Sequence, residues 1–189
     1  FVRAVDLILN CKGKVIFAGI GKSGLIARKV SATFSSVGIP SFFCNPSEAL
    51  HGDMGQIEKK DILIIFSYSG NTKELTNMLK YANRYRIKII GIASKTDSIL
   101  LKASDIKLLI PKVKEADITG MVPTSSTTIS LILGDCLATT AMYQKKFTKE
   151  KFKIFHPGGN IGKSLMLAKD LMITGNKMPI INYKKTFTE

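Results

Sequence analysis

Five short apolar runs constrain this chain most: VIFAG (15–19), SFFC (41–44), ILIIFS (62–67), IKIIGIAS (87–94) and IKLLI (106–110). They are too short for helices and too continuously apolar for strands with one wet face. Runs of this kind belong in a parallel sheet covered on both sides. Between them, LIARKVSATFSSV (25–37) and KELTNMLKYANRY (73–85) carry apolar residues at helical spacing. A long helix is expected from about Ser125 to Phe147, then a short basic helix and a loop, HPGGNIGKSL (156–165). Strand–helix alternation predicts an α/β fold, a doubly wound five-stranded parallel sheet flanked by helices. With 189 residues, one such domain buries roughly 70% of its unfolded surface. Periodicity fades after Leu167, so residues 1–167 are expected to form the domain and 168–189 a linker toward something further. The chain opens on Phe1, which suggests a preceding segment.

Composition narrows the function classes. No apolar run reaches the roughly 18 residues of a membrane span. The most apolar helical stretch, TISLILGDCLATTAMY, is interrupted by Gly134 and Asp135 and reads as a core helix. Three cysteines without C-x-x-C spacing favour a reducing cytoplasm, with neither a disulfide framework nor a zinc knuckle. The formal charge of +14 invites a nucleic-acid reading, since a basic surface draws phosphate-bearing partners of any size. However, the lysines are not interleaved with stacking aromatics and the chain has no Trp. Neither nucleic acid nor membrane is therefore expected as a partner.

The stretch VIFAGIGKSGLIARKV (15–30) reads as strand, glycine turn and helix, and two nucleotide motifs compete for it. A P-loop needs a glycine five positions before Gly21, where Ile16 stands inside the strand, so the triphosphate reading fails. Gly19, Gly21 and Gly24 satisfy G-x-G-x-x-G. A dinucleotide site also expects an acid at the end of the next strand, and there the sequence has Asn45.

A second loop has the same layout. ILIIFSYSGNTKEL places Ser67, Ser69 and Thr72 before a helix, and amides and hydroxyls gathered at a helix start form an anion site. The competing explanation is a capping box between Asn71 and Glu74. PTSSTT (123–128) opens the long helix with more hydroxyls than one cap uses. Three such starts, each at a strand's C-terminal end, would converge on one crevice. They suit a single phosphate on a polyhydroxylated body.

GIGKSG, SYSGNTKEL and PTSSTT together resemble the sugar-isomerase (SIS) domain, which has a flavodoxin-like sheet. SFFCNPSEALHGDMG, VKEA, VPTSSTTISLILGDCLA and FHPGGNIGKSL narrow the resemblance to the arabinose-5-phosphate isomerase family. It runs in order from about Val15 to Leu167, and DLMITGNKMPI is similar to the start of the paired CBS domains that follow in that family. Where such chains often read KEACP, this one reads KEADI. The resemblance implies an aldose–ketose isomerase that interconverts D-ribulose 5-phosphate and D-arabinose 5-phosphate, the first step toward Kdo and lipopolysaccharide. It further implies a sugar phosphate as ligand, no cofactor, and a homotetramer with active sites between subunits; no catalytic metal is expected, because a histidine and scattered acids do not make a ligand set. The alternatives are another SIS activity such as phosphoheptose isomerisation, a non-catalytic sugar-phosphate sensor, or a basic nucleic-acid-binding module.

By the same resemblance Lys22, Glu74, Glu115 and His156 line the active site. Glu115 is taken as the base at carbon and His156 as the group moving protons on oxygen or opening the ring; these two roles are interchangeable at this level. Lys22 would steady the enediolate or the phosphate. Ser67, Ser69 and Thr72 would hold the phosphate, with Gly21, Ser23, Ser125 and Ser126 assisting. Glu74 would position hydroxyls or complete a helix cap. Glu115, close to Lys112 and Lys114, could instead be a surface ion pair, and His156 a plain loop residue. His51 is a further candidate for substrate contact or for adventitious zinc.

Overall fold

All five runs become strands: β1 (Val15–Gly19), β2 (Ser41–Cys44), β3 (Ile62–Phe66), β4 (Lys88–Ala93) and β5 (Ile106–Leu109). In the computed structural model, which describes residues 1–156, 166–181 and 183–186, they form one parallel sheet in the order β2-β1-β3-β4-β5. The central register pairs Ala18 with Ile65, and Ile65 in turn with Gly91.

Two apolar cores follow from the two-residue period of a strand. Val15 and Phe17 of β1, with Ile62, Ile64 and Phe66 of β3, face α1 (Val2–Leu9), α2 (Gly21–Ser36) and α6 (Ser125–Gln144). The alternate residues Ile16, Ala18, Leu63 and Ile65 face α3 (Pro46–Ala49), α4 (Leu75–Arg84) and α5 (Ile99–Ala103). A short 3₁₀ turn, Asp53–Gln56, follows α3, and a short helix α7 (Lys149–Phe155) follows α6.

Cover on both faces holds for β1, β3 and nearly all of β4, but the edge strands β2 and β5 are largely half-exposed or exposed. The long helix ends at Gln144, short of Phe147. Lys146 takes φ +48°, and the amide of Phe147 turns back to the carbonyl of Met142. Phe147 then stacks on Phe155 of α7, ring centroids 6.1 Å apart.

The glycine motif is explained by packing. A Cβ on Gly24 would sit 2.6 Å from the carbonyl oxygen of Gly19, so α2 approaches β1 more closely than any side chain allows. This is the close helix–strand contact that the third glycine of a G-x-G-x-x-G turn permits. Asn45, standing where a ribose-binding acid was sought, caps α3, its side-chain oxygen accepting the amide of Ser47 at 3.0 Å. Beyond Leu167 the described residues are all exposed, with single turns at Ala168–Leu171 and Gly175–Lys177. Residues 157–165 of the HPGGNIGKSL loop lie outside the described residues.

Candidate active site

In a sheet of order 2-1-3-4-5, the connections leave β1 and β3 in opposite directions, and a crevice opens beyond their C-terminal ends. The two loops singled out in the sequence lie there. β1 runs directly into α2, where Gly21 takes φ +57° and Ile20, at the N-cap, offers no side-chain acceptor. The first-turn amides of α2 therefore lack a side-chain partner at the positive end of a 16-residue helix.

A cleft of about 410 Å³ opens beside this turn. Lys22 and Ser23 line it from α2, Tyr68 from the β3–α4 loop, Glu115 from the segment after β5, and Ser126 from α6. Four residue types suited to binding and proton transfer thus meet from four parts of the chain. Ser125 is the first residue of α6 and half-exposed, while Ser126 is buried.

Glu115 does not pair with Lys112 or Lys114; no such ion pair exists among the described residues. One of its oxygens accepts the amide of Thr124 at 2.8 Å, the Thr124 hydroxyl at 3.1 Å and the amide of Ser126 at 3.2 Å. Glu115 is thus the N-terminal cap of α6, supplied from nine residues upstream. Hydrogen bonding from the Ser126 side chain, then from the Thr124 amide, holds its pKa down to about 2. Next along, at the position where KEADI departs from KEACP, Asp117 is a second anchor. The Thr119 hydroxyl, which donates to it, and then the amides of Val122 at 2.9 Å and Thr119 at 2.8 Å hold its pKa down to about 2. Sequence reasoning missed this role. The D-x-T spacing of Asp117 and Thr119 is the local signal that could have found it.

The other expected residues are placed less simply. Ser67 is buried, its hydroxyl 2.8 Å from that of Thr72, and it accepts the Gly70 amide at 3.2 Å. Ser69 accepts the amide of Asn71. In this state the three hydroxyl side chains brace their own loop, and they are not among the residues lining the cleft. Asn71 forms no capping box with Glu74. Its oxygen accepts the Ile99 amide of α5 at 3.0 Å, and Glu74 is exposed without a cap bond. His51 is exposed in a turn after α3, and no cluster of three metal-ligating side chains occurs among the described residues.

His156 lies elsewhere in this chain. Its ring stacks on Phe152, centroids 3.8 Å apart, with Nδ1 2.9 Å from the Phe152 carbonyl oxygen. It lines a separate cleft with Arg28, Ser31, Ser41, Phe43 and Phe155. Within one copy, then, Lys22 and Glu115 meet and His156 does not join them.

Comparison with known proteins agrees with this fold. A family model described as the SIS domain matches residues 8–140. The uncharacterized protein RP505 of Rickettsia prowazekii (strain Madrid E) is 45% identical over 189 residues, covering all of this chain and 59% of that protein. Arabinose 5-phosphate isomerase KdsD of Shigella flexneri is 43% identical over 187 residues, 98% of this chain and 56% of the relative. The chain therefore spans well under two thirds of these relatives. The solved structure of Escherichia coli CFT073 c3406 in complex with arabinose 5-phosphate superimposes with a TM-score of 0.81 at 40% identity, covering 83% of this chain and 84% of that one.

Proposed function

This chain belongs to the SIS-domain family, and we propose that within it the chain is an aldose–ketose isomerase interconverting D-ribulose 5-phosphate and D-arabinose 5-phosphate. The observation that carries the reading is the meeting of Lys22 and Glu115 in one cleft at the β1/β3 switch point, beside the uncapped start of α2. The KdsD relatives and the neighbour solved with arabinose 5-phosphate support that substrate. A reaction on the path to Kdo follows from the same resemblance. So do a homotetramer and a domain ending near Leu167, with CBS modules beyond it.

The chemistry divides among the chain's own groups. The phosphate sits against the amides of α2 and the loop of Ser67, Ser69 and Thr72, with Gly21 and Ser23 close by, where helix dipole and hydroxyls favour an anion. Isomerisation moves a proton between C1 and C2 through an enediolate. Glu115 takes the carbon proton, and Lys22 sets its positive charge near the developing oxyanion. In the free protein Glu115 is tied to the start of α6, and hydrogen bonds to a carboxylate weaken it as a base. When the carboxylate swings toward the C1–C2 carbon it gives up these donors, and the loss of their hydrogen bonds raises its basicity. His156 moves protons on oxygen and enters from a second copy of the chain, because in its own copy it lines a different cleft. Glu74, exposed at the start of α4, is left to position sugar hydroxyls rather than to cap. Ser125 and Ser126 border the base, and His51 is a peripheral contact at most.

Purified protein incubated with a panel of aldose and ketose phosphates, in the presence of chelator and without added cofactor, is expected to interconvert the two pentose phosphates in preference to hexose and heptose phosphates. Heptose-phosphate turnover alone would move the chain to another SIS activity. Binding without turnover would make it a sensor.

A further inference from the structure

Tyr68 has no role in the chemistry described above, yet it stands between two residues assigned to the phosphate, Ser67 and Ser69. Its backbone is fixed to the end of β4, the carbonyl accepting the amide of Ser94 at 2.8 Å and the Ser94 hydroxyl at 2.7 Å. Its side chain is half-buried and lines the same cleft as Lys22 and Glu115. The phenol oxygen accepts the amide of Val113 at 2.9 Å, and its hydroxyl donates to the Val113 carbonyl at 3.4 Å. One side chain thus engages both backbone groups of a residue 45 positions away.

Val113 lies two residues before Glu115. The segment after β5 is joined to the sheet through the amide of Ile110, which donates to Ala93. From Pro111 to Thr124, the other hydrogen bonds among the described residues run within the segment or to the first turn of α6. Among the described residues, the Tyr68 clamp is therefore the hydrogen-bonded link between the 67–72 loop and the segment that carries Glu115. Phenylalanine would fill the same space with the same apolar ring, so the hydroxyl is not needed for packing. Its chemistry matches a need to register one loop against the other.

We propose that Tyr68 is a positioning residue for the isomerisation, its hydroxyl carrying occupancy of the 67–72 loop to the segment that holds Glu115. This rests on the isomerase reading, because it gives Glu115 a position that matters. A misplacement on the order of 1 Å at a reacting group costs up to about 100-fold in rate. Loss of the clamp therefore acts on turnover, while the phosphate contacts that set affinity remain.

The test compares the wild-type chain with Tyr68→Phe, both confirmed as folded by circular dichroism, in two arms. In the kinetic arm, kcat is expected to fall about 10- to 100-fold with KM changed less than about threefold. Unchanged kcat, or a rise in KM alone, overturns the proposal. In the exchange arm, amide hydrogen exchange of residues 111–116 is followed with and without arabinose 5-phosphate, and with inorganic phosphate as a second probe. Ligand is expected to slow exchange there in the wild type but not in Tyr68→Phe, while protection of residues 67–75 persists in both. Equal protection of 111–116 in the two proteins, or none in the wild type, refutes the coupling. A wild-type chain that turns over no pentose phosphate would sink the isomerase reading, and the exchange arm would still decide whether Tyr68 links the loops.

Discussion

Glutamine in place of Glu115 is expected to lower turnover of arabinose 5-phosphate by about 10²- to 10⁴-fold, the usual contribution of a positioned acid or base. The substitution separates the two things this side chain does. Its amide oxygen can still accept the amides of Thr124 and Ser126, so the start of α6 stays capped and the loop keeps its course. What disappears is the ability to take a proton. The pH dependence carries a second signature. In the free protein the pKa of Glu115 is held to about 2. The profile of kcat/KM, which reports the free protein, should therefore show no acid limb from this group above about pH 4. The profile of kcat reports the complex; if Glu115 leaves the amides there, as proposed, its acid limb should lie higher. Stability changes in the matching direction. A folded-state pKa below the unfolded value means that the cap's contribution is complete above the ordinary carboxylate range, and it is lost as the pH falls toward about 2. Thermal unfolding of wild type and Glu115→Gln should differ at neutral pH and converge in strong acid. Full turnover by the variant would remove Glu115 from the chemistry and leave it as a cap.

Mixing two inactive variants is expected to restore activity. His156→Ala alone should lose turnover to a similar degree as Glu115→Gln, since each removes one proton-transfer group from the same reaction. If every site draws Glu115 from one copy and His156 from another, co-refolded subunits create some sites in which both groups are intact. For pairwise sharing and random 1:1 assembly, about a quarter of the sites are restored. The recovery should depend on subunit exchange and vanish when the two homo-oligomers are mixed without it. The geometry behind this expectation is simple. Glu115 lines the cleft at the β1/β3 crevice, and the His156 ring is stacked on Phe152 beside a different cleft, with Arg28 and Phe43. No recovery at any ratio would require His156 to reach Glu115 within one chain.

The sheet was legible because its runs are short and continuously apolar, most of all in the buried central strands. A run such as ILIIF leaves no reading other than a covered strand, and all five runs became strands within a residue or two of their expected ends. The end of α6 was not legible. What stops it is a left-handed Lys146, a conformation that lysine does not advertise. Of the residues singled out from local motifs, Lys22 and Ser23 at the glycine turn and Ser126 in the hydroxyl cluster line one cleft. The hydrogen-bonding partners were not. A capping box between Asn71 and Glu74 fits the local spacing, but the Asn71 oxygen was taken by Ile99, 28 residues on. An ion pair with the nearby lysines was the alternative for Glu115, whereas the folded chain offers it two amides of α6. Tyr68 and Asp117 escaped notice for the same reason: their partners are fixed by tertiary structure, which no local pattern encodes.

The position of bound arabinose 5-phosphate in a crystal structure of this protein tests the central claim most directly. The phosphate should lie within hydrogen-bonding reach of the α2 amides and the Ser67–Thr72 loop, with C1 and C2 turned toward Lys22 and Glu115. A sugar phosphate seated in another cleft, such as the one beside Arg28, with Lys22 and Glu115 untouched, would contradict it.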